Sequence, residues 1–259
     1  MAGLRLHTRV FGAPGGRTVV ALHGVKGHCG RWRLLAGHLP GTRMYALDLR
    51  GHGRSEWSPP WTLEQHVADV LATMDALGLP RADVIGHSFG GAVAVHLARQ
   101  APHRVGRIVL LDPAIGLEPV VAGQRAEAER APRSFADPDE ARATRLGTWP
   151  PLADASVLDD EVADHLVRDA DGRWRWRYAP AAVVTAYSEM ARPAVLPPAG
   201  APTLLVRSAR VQVVRPELVE ACRAATDADV TVVDLDCYHE VPLERPEQVS
   251  ELMESFLAR

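Results

Sequence analysis

Only one lysine, Lys26, occurs among the 259 residues; every other basic side chain apart from histidine is an arginine. The skew reads as a mark of genome composition rather than of a binding role. A formal net charge of −3 likewise gives no electrostatic reason to expect nucleic acid or an anionic membrane surface as a partner. Cysteine is also scarce. Cys29, Cys222 and Cys237 are odd in number, far apart and free of any C-x-x-C spacing, so reduced thiols in a cytoplasmic protein are expected rather than a disulfide framework. No apolar stretch approaches the roughly 20 residues of a membrane span. Met1 to Val10 has no positively charged segment leading into an apolar core, so no secretory leader is expected. Histidines and acids form no set at metal-ligand spacing and the dinucleotide fingerprint G-x-G-x-x-G is missing, so neither a metal nor a cofactor is expected. No repeat or low-complexity tract interrupts the chain. Its 47% hydrophobic and 24% charged content suits a globular protein of one large α/β domain or two small ones.

What the chain does have is Gly86-His87-Ser88-Phe89-Gly90-Gly91. Before it, Ala82-Asp83-Val84-Ile85 reads as the end of a buried strand; after it, Ala92 to Ala101, small and apolar, reads as a helix. A G-x-S-x-G match alone is a common accident, and its bland reading is a Gly-rich turn. Between a strand and a helix it means a nucleophile elbow. Ser88 must then occupy a turn tight enough to strain its backbone, which lifts the hydroxyl above the sheet. The positions two before and two after lie where strand and helix nearly touch, and they are Gly86 and Gly90. The Phe89 amide opens the helix, where an unpaired N–H and the helix dipole favour negative charge; it is one candidate oxyanion donor.

Around this centre the chain alternates strand and helix. Leu4 to Phe11 alternates apolar and polar residues like an exposed antiparallel strand. Thr18 to Leu22 is continuous and apolar, as a strand buried on both faces would be, and ends in His23-Gly24-Val25. An H-G dipeptide there is the usual source of a second oxyanion donor, assigned to the Val25 amide, while His23 is expected to hold the loop. Trp32 is expected to pack. Met44 to Leu47 leads into Asp48-Leu49-Arg50-Gly51-His52-Gly53-Arg54-Ser55, which lacks the ending and the following helix of a phosphate loop and reads as a turn knitted by Asp48 and Arg54. Leu63 to Leu77 has helical spacing and stops at Gly78; Val105 to Leu111 is a strand ending at Asp112-Pro113. From Ala114 to about Pro198 strands give way to helical stretches at Glu118 to Ala131, Asp139 to Leu146, Val157 to Arg168 and Ala181 to Ala191. Between the last two, Asp171 to Tyr178 alternates arginine with aromatics. Such interleaving can bind single-stranded nucleic acid, but a short stretch that opens on a turn in an acidic neighbourhood reads as a hairpin packing its rings. The strand pattern resumes at Pro202 to Arg207 and Val230 to Val233, with helices begun by Pro216 and Pro246.

With His239-Glu240-Val241-Pro242-Leu243-Glu244-Arg245-Pro246 near its end, the chain resembles the α/β-hydrolase family. The likeness rests on this segment, His23-Gly24, Asp48 to Ser55 and Gly86 to Gly91, in the family's order. It implies an α/β fold with a mostly parallel twisted sheet flanked by helices, residues 1–113 and 199–259 forming the core. A helical cap, residues 114–198, would be inserted after the sixth strand. It implies His239 as the base, in the loop after the last strand; His87 and His96 belong to the elbow and its helix, and most other histidines are expected at the surface. The family's usual acid follows the strand ending at Arg207, but Ser208 to Val213 contains no carboxylate. Some relatives carry the acid after the preceding sheet strand, where this chain has Asp112. Asp234 and Asp236 lie too close to His239 in sequence, and Glu240 is its neighbour. The expectation is a serine hydrolase acting on carboxylic esters through an acyl-enzyme, with Ser88, His239 and Asp112 catalytic and the Val25 and Phe89 amides as the oxyanion hole. A C–C hydrolase or thioesterase of the same fold and a non-enzymatic binding member are the alternatives. The expected partner is a small-molecule ester with an apolar acyl or alcohol part; oligomeric state is left open.

Overall fold

The computed structural model describes residues 2–131, 133–150, 152, 154–225 and 229–258. Strand β1 (Thr8–Phe11) is followed by β2 (Arg17–Leu22), a 3-10 turn at Cys29–Trp32, helix α1 (Arg33–Gly37), β3 (Thr42–Leu47), α2 (Leu63–Ala76), β4 (Ala82–His87), α3 (Phe89–Gln100) and β5 (Val105–Leu111). Then come α4 (Pro119–Ala128), α5 (Pro138–Thr148), α6 (Ser156–His165), a ribbon of β6 (Leu166–Arg168) and β7 (Trp174–Trp176), and α7 (Pro180–Met190). The chain closes with β8 (Thr203–Ser208), α8 (Pro216–Ala224), β9 (Val230–Leu235), α9 (Val241–Glu244) and α10 (Pro246–Leu257).

Seven strands form one sheet in the order β1-β3-β2-β4-β5-β8-β9. Only β1 runs antiparallel to its neighbour; all other pairs are parallel. Because side chains alternate across a strand, each inner strand feeds both faces. On β2, Val20 and Leu22 join a cluster with Val67, Val70 and Met74 of α2 and Val93 and Leu97 of α3. Val19 and Ala21 join the opposite cluster with Trp32, Leu35 of α1, and Val249, Met253 and Phe256 of α10. Five helices (α4, α5, α7, α8 and α10) begin at a proline, where the missing N–H would have had no intrahelical partner.

β5 and β8 are neighbours in the sheet, yet α4 to α7 and the ribbon lie between them in sequence. Counted along this chain, the insertion follows the fifth strand. It includes the β6–β7 ribbon, whose Trp176 packs against Phe135 and Leu166. The helix expected to run to Arg168 therefore stops at His165, because Leu166 to Arg168 pairs with Trp174 to Trp176.

The loop after β3 is anchored by a buried ion pair. Arg50 donates Nε to Asp69 Oδ2 (2.6 Å) and Nη2 to Oδ1 (2.8 Å), and the same carboxylate accepts Leu4 N–H and Gln65 Nε2. Asp69→Ala is expected to cost about 3–5 kcal/mol, since Arg50 would remain buried without its counter-charge. Urea unfolding reads this directly; a loss under about 1 kcal/mol would mean the pair behaves like an exposed one.

Candidate active site

The carboxyl ends of β2, β4, β5 and β9 lead to one place. Ser88 follows β4 with φ 53° and ψ −118°, a conformation L-residues rarely adopt. Surrounding bonds hold it there: Ser88 N–H donates to Leu111 O (3.1 Å), and Ser88 O accepts from Gly91 N–H (2.9 Å) and Ala114 N–H (3.1 Å). The glycines have a steric reason. A Cβ on Gly86 would lie 2.3 Å from Gly90 O, and one on Gly90 would lie 2.1 Å from Leu22 O. Helix α3 starts at Phe89, three residues before the reading from apolar pattern, because packing against the sheet overrides the weak helix propensity of Gly90-Gly91.

Asp112, directly after β5, is fully buried and also has positive φ (44°). Its Oδ2 lies 2.6 Å from His239 Nδ1, and its Oδ1 accepts from Ser208 N–H at 3.1 Å. A carboxylate can only accept, so Nδ1 carries the proton and Nε2 presents its lone pair to Ser88 Oγ, 3.0 Å away. Burial of the His239 ring opposes its charged form, but the Asp112 hydrogen bond and charge, with Glu240 and Glu244, outweigh this and raise its pKa. The carboxylates set aside from sequence point elsewhere: Asp234 pairs with Arg207 and Asp236 with Arg210, each at 2.6 Å. Glu240 Oε2 lies 3.9 Å from Arg31 Nη1.

His87 is a positioning residue that sequence reasoning assigned only to the elbow. Its Nε2 donates to the His239 carbonyl at 2.7 Å, tying the elbow to the loop that carries the imidazole. Burial pushes the His87 pKa down to about 4, so this donor stays neutral. Across the site, His23 accepts Leu49 N–H at Nε2 (2.9 Å) and so donates Nδ1–H to Gly24 O (2.8 Å), which also accepts Gly27 N–H (3.0 Å). In a trans peptide the Gly24 carbonyl and the Val25 N–H point in opposite directions, so these bonds also set the direction of the Val25 amide. Among the described residues, neither the Val25 nor the Phe89 amide donates to a protein acceptor.

Expecting most other histidines at the surface was wrong. His23, His28, His52, His66 and His165 are all buried. Neutral imidazole is an aromatic ring with one donor and one acceptor, which suits loop interiors, and burial drives His52 to about 4 and His66 to about 3. His7, Cys29 and Asp48 cluster in space, a grouping invisible in sequence. Both Asp48 oxygens already accept amides (from Cys29 and Arg54), and burial, aided by Asp48, pushes the Cys29 thiol up, away from the thiolate a metal would need. The Asp48–Arg54 link thus runs through the Arg54 backbone. Cys237, two residues before His239, is fully buried and its thiol is pushed up to about 12. All three cysteines are free.

A cavity of about 590 Å³ opens over Ser88 and His239. One part of its wall is apolar, with Leu117, Tyr187 and Met190 from the insertion; another combines Arg145 with Trp149 and Trp176. Nothing in the sequence of α5 marks Arg145 as a pocket residue. No helix among the described residues is long and apolar enough to cross a membrane.

Known proteins resemble this chain over its whole length. It is 42% identical to lipase LipV of Mycobacterium tuberculosis, covering 97% of each chain. Its fold superposes on the crystal structure of E-2-(acetamidomethylene)succinate hydrolase with a TM-score of 0.82 at 23% identity, over 98% of this chain and 95% of that one. The enol-lactonase of Burkholderia xenovorans gives a TM-score of 0.75 at 24% identity, over 98% and 96%. The model of the alpha/beta hydrolase family matches residues 19–252. The chain is a member of the alpha/beta hydrolase family.

Proposed function

We propose that the protein is a serine carboxylesterase working through a covalent acyl-enzyme, with residues 114–198 acting as a cap over residues 1–113 and 199–259. The observation that carries this reading is the unbroken chain from buried Asp112 through His239 to Ser88 Oγ, at 2.6 and 3.0 Å. Identity to a lipase over nearly the full length supports the ester as substrate. Unpaired, buried cysteines support a cytoplasmic location. The apolar part of the cavity wall supports an apolar acyl or alcohol portion.

In this mechanism Ser88 Oγ attacks the ester carbonyl carbon while its proton passes to His239 Nε2. The carbonyl oxygen gains the negative charge and receives the Val25 and Phe89 N–H groups, which need no reorganisation because no acceptor among the described residues holds them. Collapse breaks the ester C–O bond, and the alcohol leaves with the proton from Nε2. Water then repeats the attack on the acyl-enzyme, gives its proton to Nε2, and Ser88 recovers it as the acid departs. Asp112 remains ionised throughout, holding the tautomer and stabilising the imidazolium.

Hydrolysis of p-nitrophenyl esters with fluorophosphonate labelling tests the assignment of Ser88. Ser88→Ala should lower turnover on the order of 10⁶-fold and abolish labelling while circular dichroism stays unchanged; a labelled variant would exclude Ser88 as the nucleophile.

The pH profile tests the other two residues. The base must be neutral to accept a proton, so wild-type kcat/KM should fall with decreasing pH through a pKa above the ordinary 6.5. Asp112→Asn removes the carboxylate that raises it. Turnover should drop about 10²–10⁴-fold and the acid limb should shift to lower pH. Activity within a few-fold of wild type, or an unmoved limb, would reject Asp112 as the orienting acid.

A further inference from the structure

The cavity is cationic as well as apolar, and its cations are unequally matched. Lys26 is paired with Glu129 at 2.6 Å. Arg125 and Arg133, exposed along the lining, meet no carboxylate among the described residues. Deeper in, a single carboxylate serves two guanidinium groups. Glu161 Oε1 accepts from Arg31 Nη2 (2.6 Å) and Arg145 Nη2 (3.0 Å), while Oε2 accepts from Arg31 Nε (3.1 Å) and His28 Nε2 (3.0 Å).

Arg145 is the under-satisfied member. It is buried, only 8% exposed, yet among the described residues the bond to Glu161 is the one hydrogen bond of its side chain, and its Nε has no partner there. Its orientation comes from rings instead: the guanidinium carbon lies 4.2 Å from the Trp176 centroid and 5.2 Å from that of Trp149. Arg31 lies over the same Trp149 ring at 4.9 Å, and its Nη1 comes no closer than 3.9 Å to a carboxylate, Glu240. A guanidinium has five N–H donors in a planar fork that matches a carboxylate bidentately. Burying such a group with most donors unused is costly unless something else satisfies it. Aromatic stacking leaves the fork's edge available, and Arg145 lines the same cavity as Ser88 and His239.

We propose that the substrate carries a carboxylate away from its scissile ester, bound by Arg145 with Arg31 as the second cation, while its apolar segment lies along Leu117, Tyr187 and Met190. This rests on the reading of Ser88 as an ester-cleaving nucleophile. The unpaired Arg125 and Arg133 draw the anion towards the cavity. A triad placed beside such a site would act on half-esters of dicarboxylic acids or on esters of hydroxy acids.

Two matched ester pairs test it. One places the carboxylate on the acyl side, 4-nitrophenyl hydrogen glutarate against 4-nitrophenyl pentanoate; the other places it on the alcohol side, 4-carboxybutyl butyrate against pentyl butyrate. In at least one pair the anionic member should have a kcat/KM roughly 10–100-fold higher, the worth of about one charge-assisted hydrogen bond. Arg145→Gln should collapse that ratio towards unity. The ratio is taken within each protein, so partial misfolding leaves it unaffected. Glutarate titrated into wild type by calorimetry supplies a measurement without turnover, and Arg145→Gln should weaken its binding by a similar factor. If both neutral esters are cleaved with no preference for the anion, and millimolar glutarate gives no binding heat, the carboxylate site is refuted while the esterase reading stands. If glutarate binds through Arg145 but no ester is cleaved, the anion site stands and the esterase reading falls.

Discussion

The close approach of α3 to the sheet at Gly86, Gly90 and Leu22 is the constraint on which the site depends. With backbone atoms filling the space that a Cβ would need, the chain must turn from β4 into α3 within one residue, and Ser88 takes the strained conformation that results. The strain is maintained from the next strand, since Leu111 O and Ala114 N–H on either side of Asp112 both bond the Ser88 backbone. Ser88 and Asp112 are therefore held by one set of contacts. Movement of β5 against β4 would disturb both together. Position at the carboxyl edge of a parallel sheet then supplies the rest, because every β-to-α connection there emerges on the same side.

Much of this was legible locally. The span of β5 is the Val105 to Leu111 expected from sequence, and the elbow, the H-G loop and the loop carrying His239 each occupy a few neighbouring residues. Asp112 was suggested by the family resemblance, strengthened by the absence of a carboxylate from Ser208 to Val213, and its carboxylate lies against His239. What escaped depended on partners distant in sequence. Leu166 to Arg168 continued a helical pattern until it found Trp174 to Trp176 as a ladder partner. Arg145 reads as an ordinary helical arginine, and its place in the cavity wall comes from partners elsewhere in the chain, Glu161 of α6 and the Trp176 ring. The buried histidines were misjudged for a related reason. Imidazole has no strong preference for surface or interior, and the groups that satisfy it, such as Leu49 N–H for His23, come from other loops.

The segment between β5 and β8 contributes charged as well as apolar side chains to the cavity lining. Its α6 brings Glu161 to Arg31 of the core, and its ribbon brings Trp176 beneath Arg145. Core and insertion are thus joined by ion pairs within reach of the cavity rather than by apolar packing alone. The polarity of that wall and the attachment of the insertion are properties of the same side chains, and a substitution made to alter one alters the other.

The buried thiol beside the imidazole loop bears on where such chemistry can operate. Sulfur is oxidised through its thiolate, and a thiol pushed up to about 12 is ionised at neutral pH in only about one molecule in 10⁵. Burial and the raised pKa therefore favour the protonated, less reactive form of Cys237, although it lies two residues from His239. Oxidation at this position is disfavoured at neutral pH, so the loop carrying His239 keeps its packing around an unmodified Cys237.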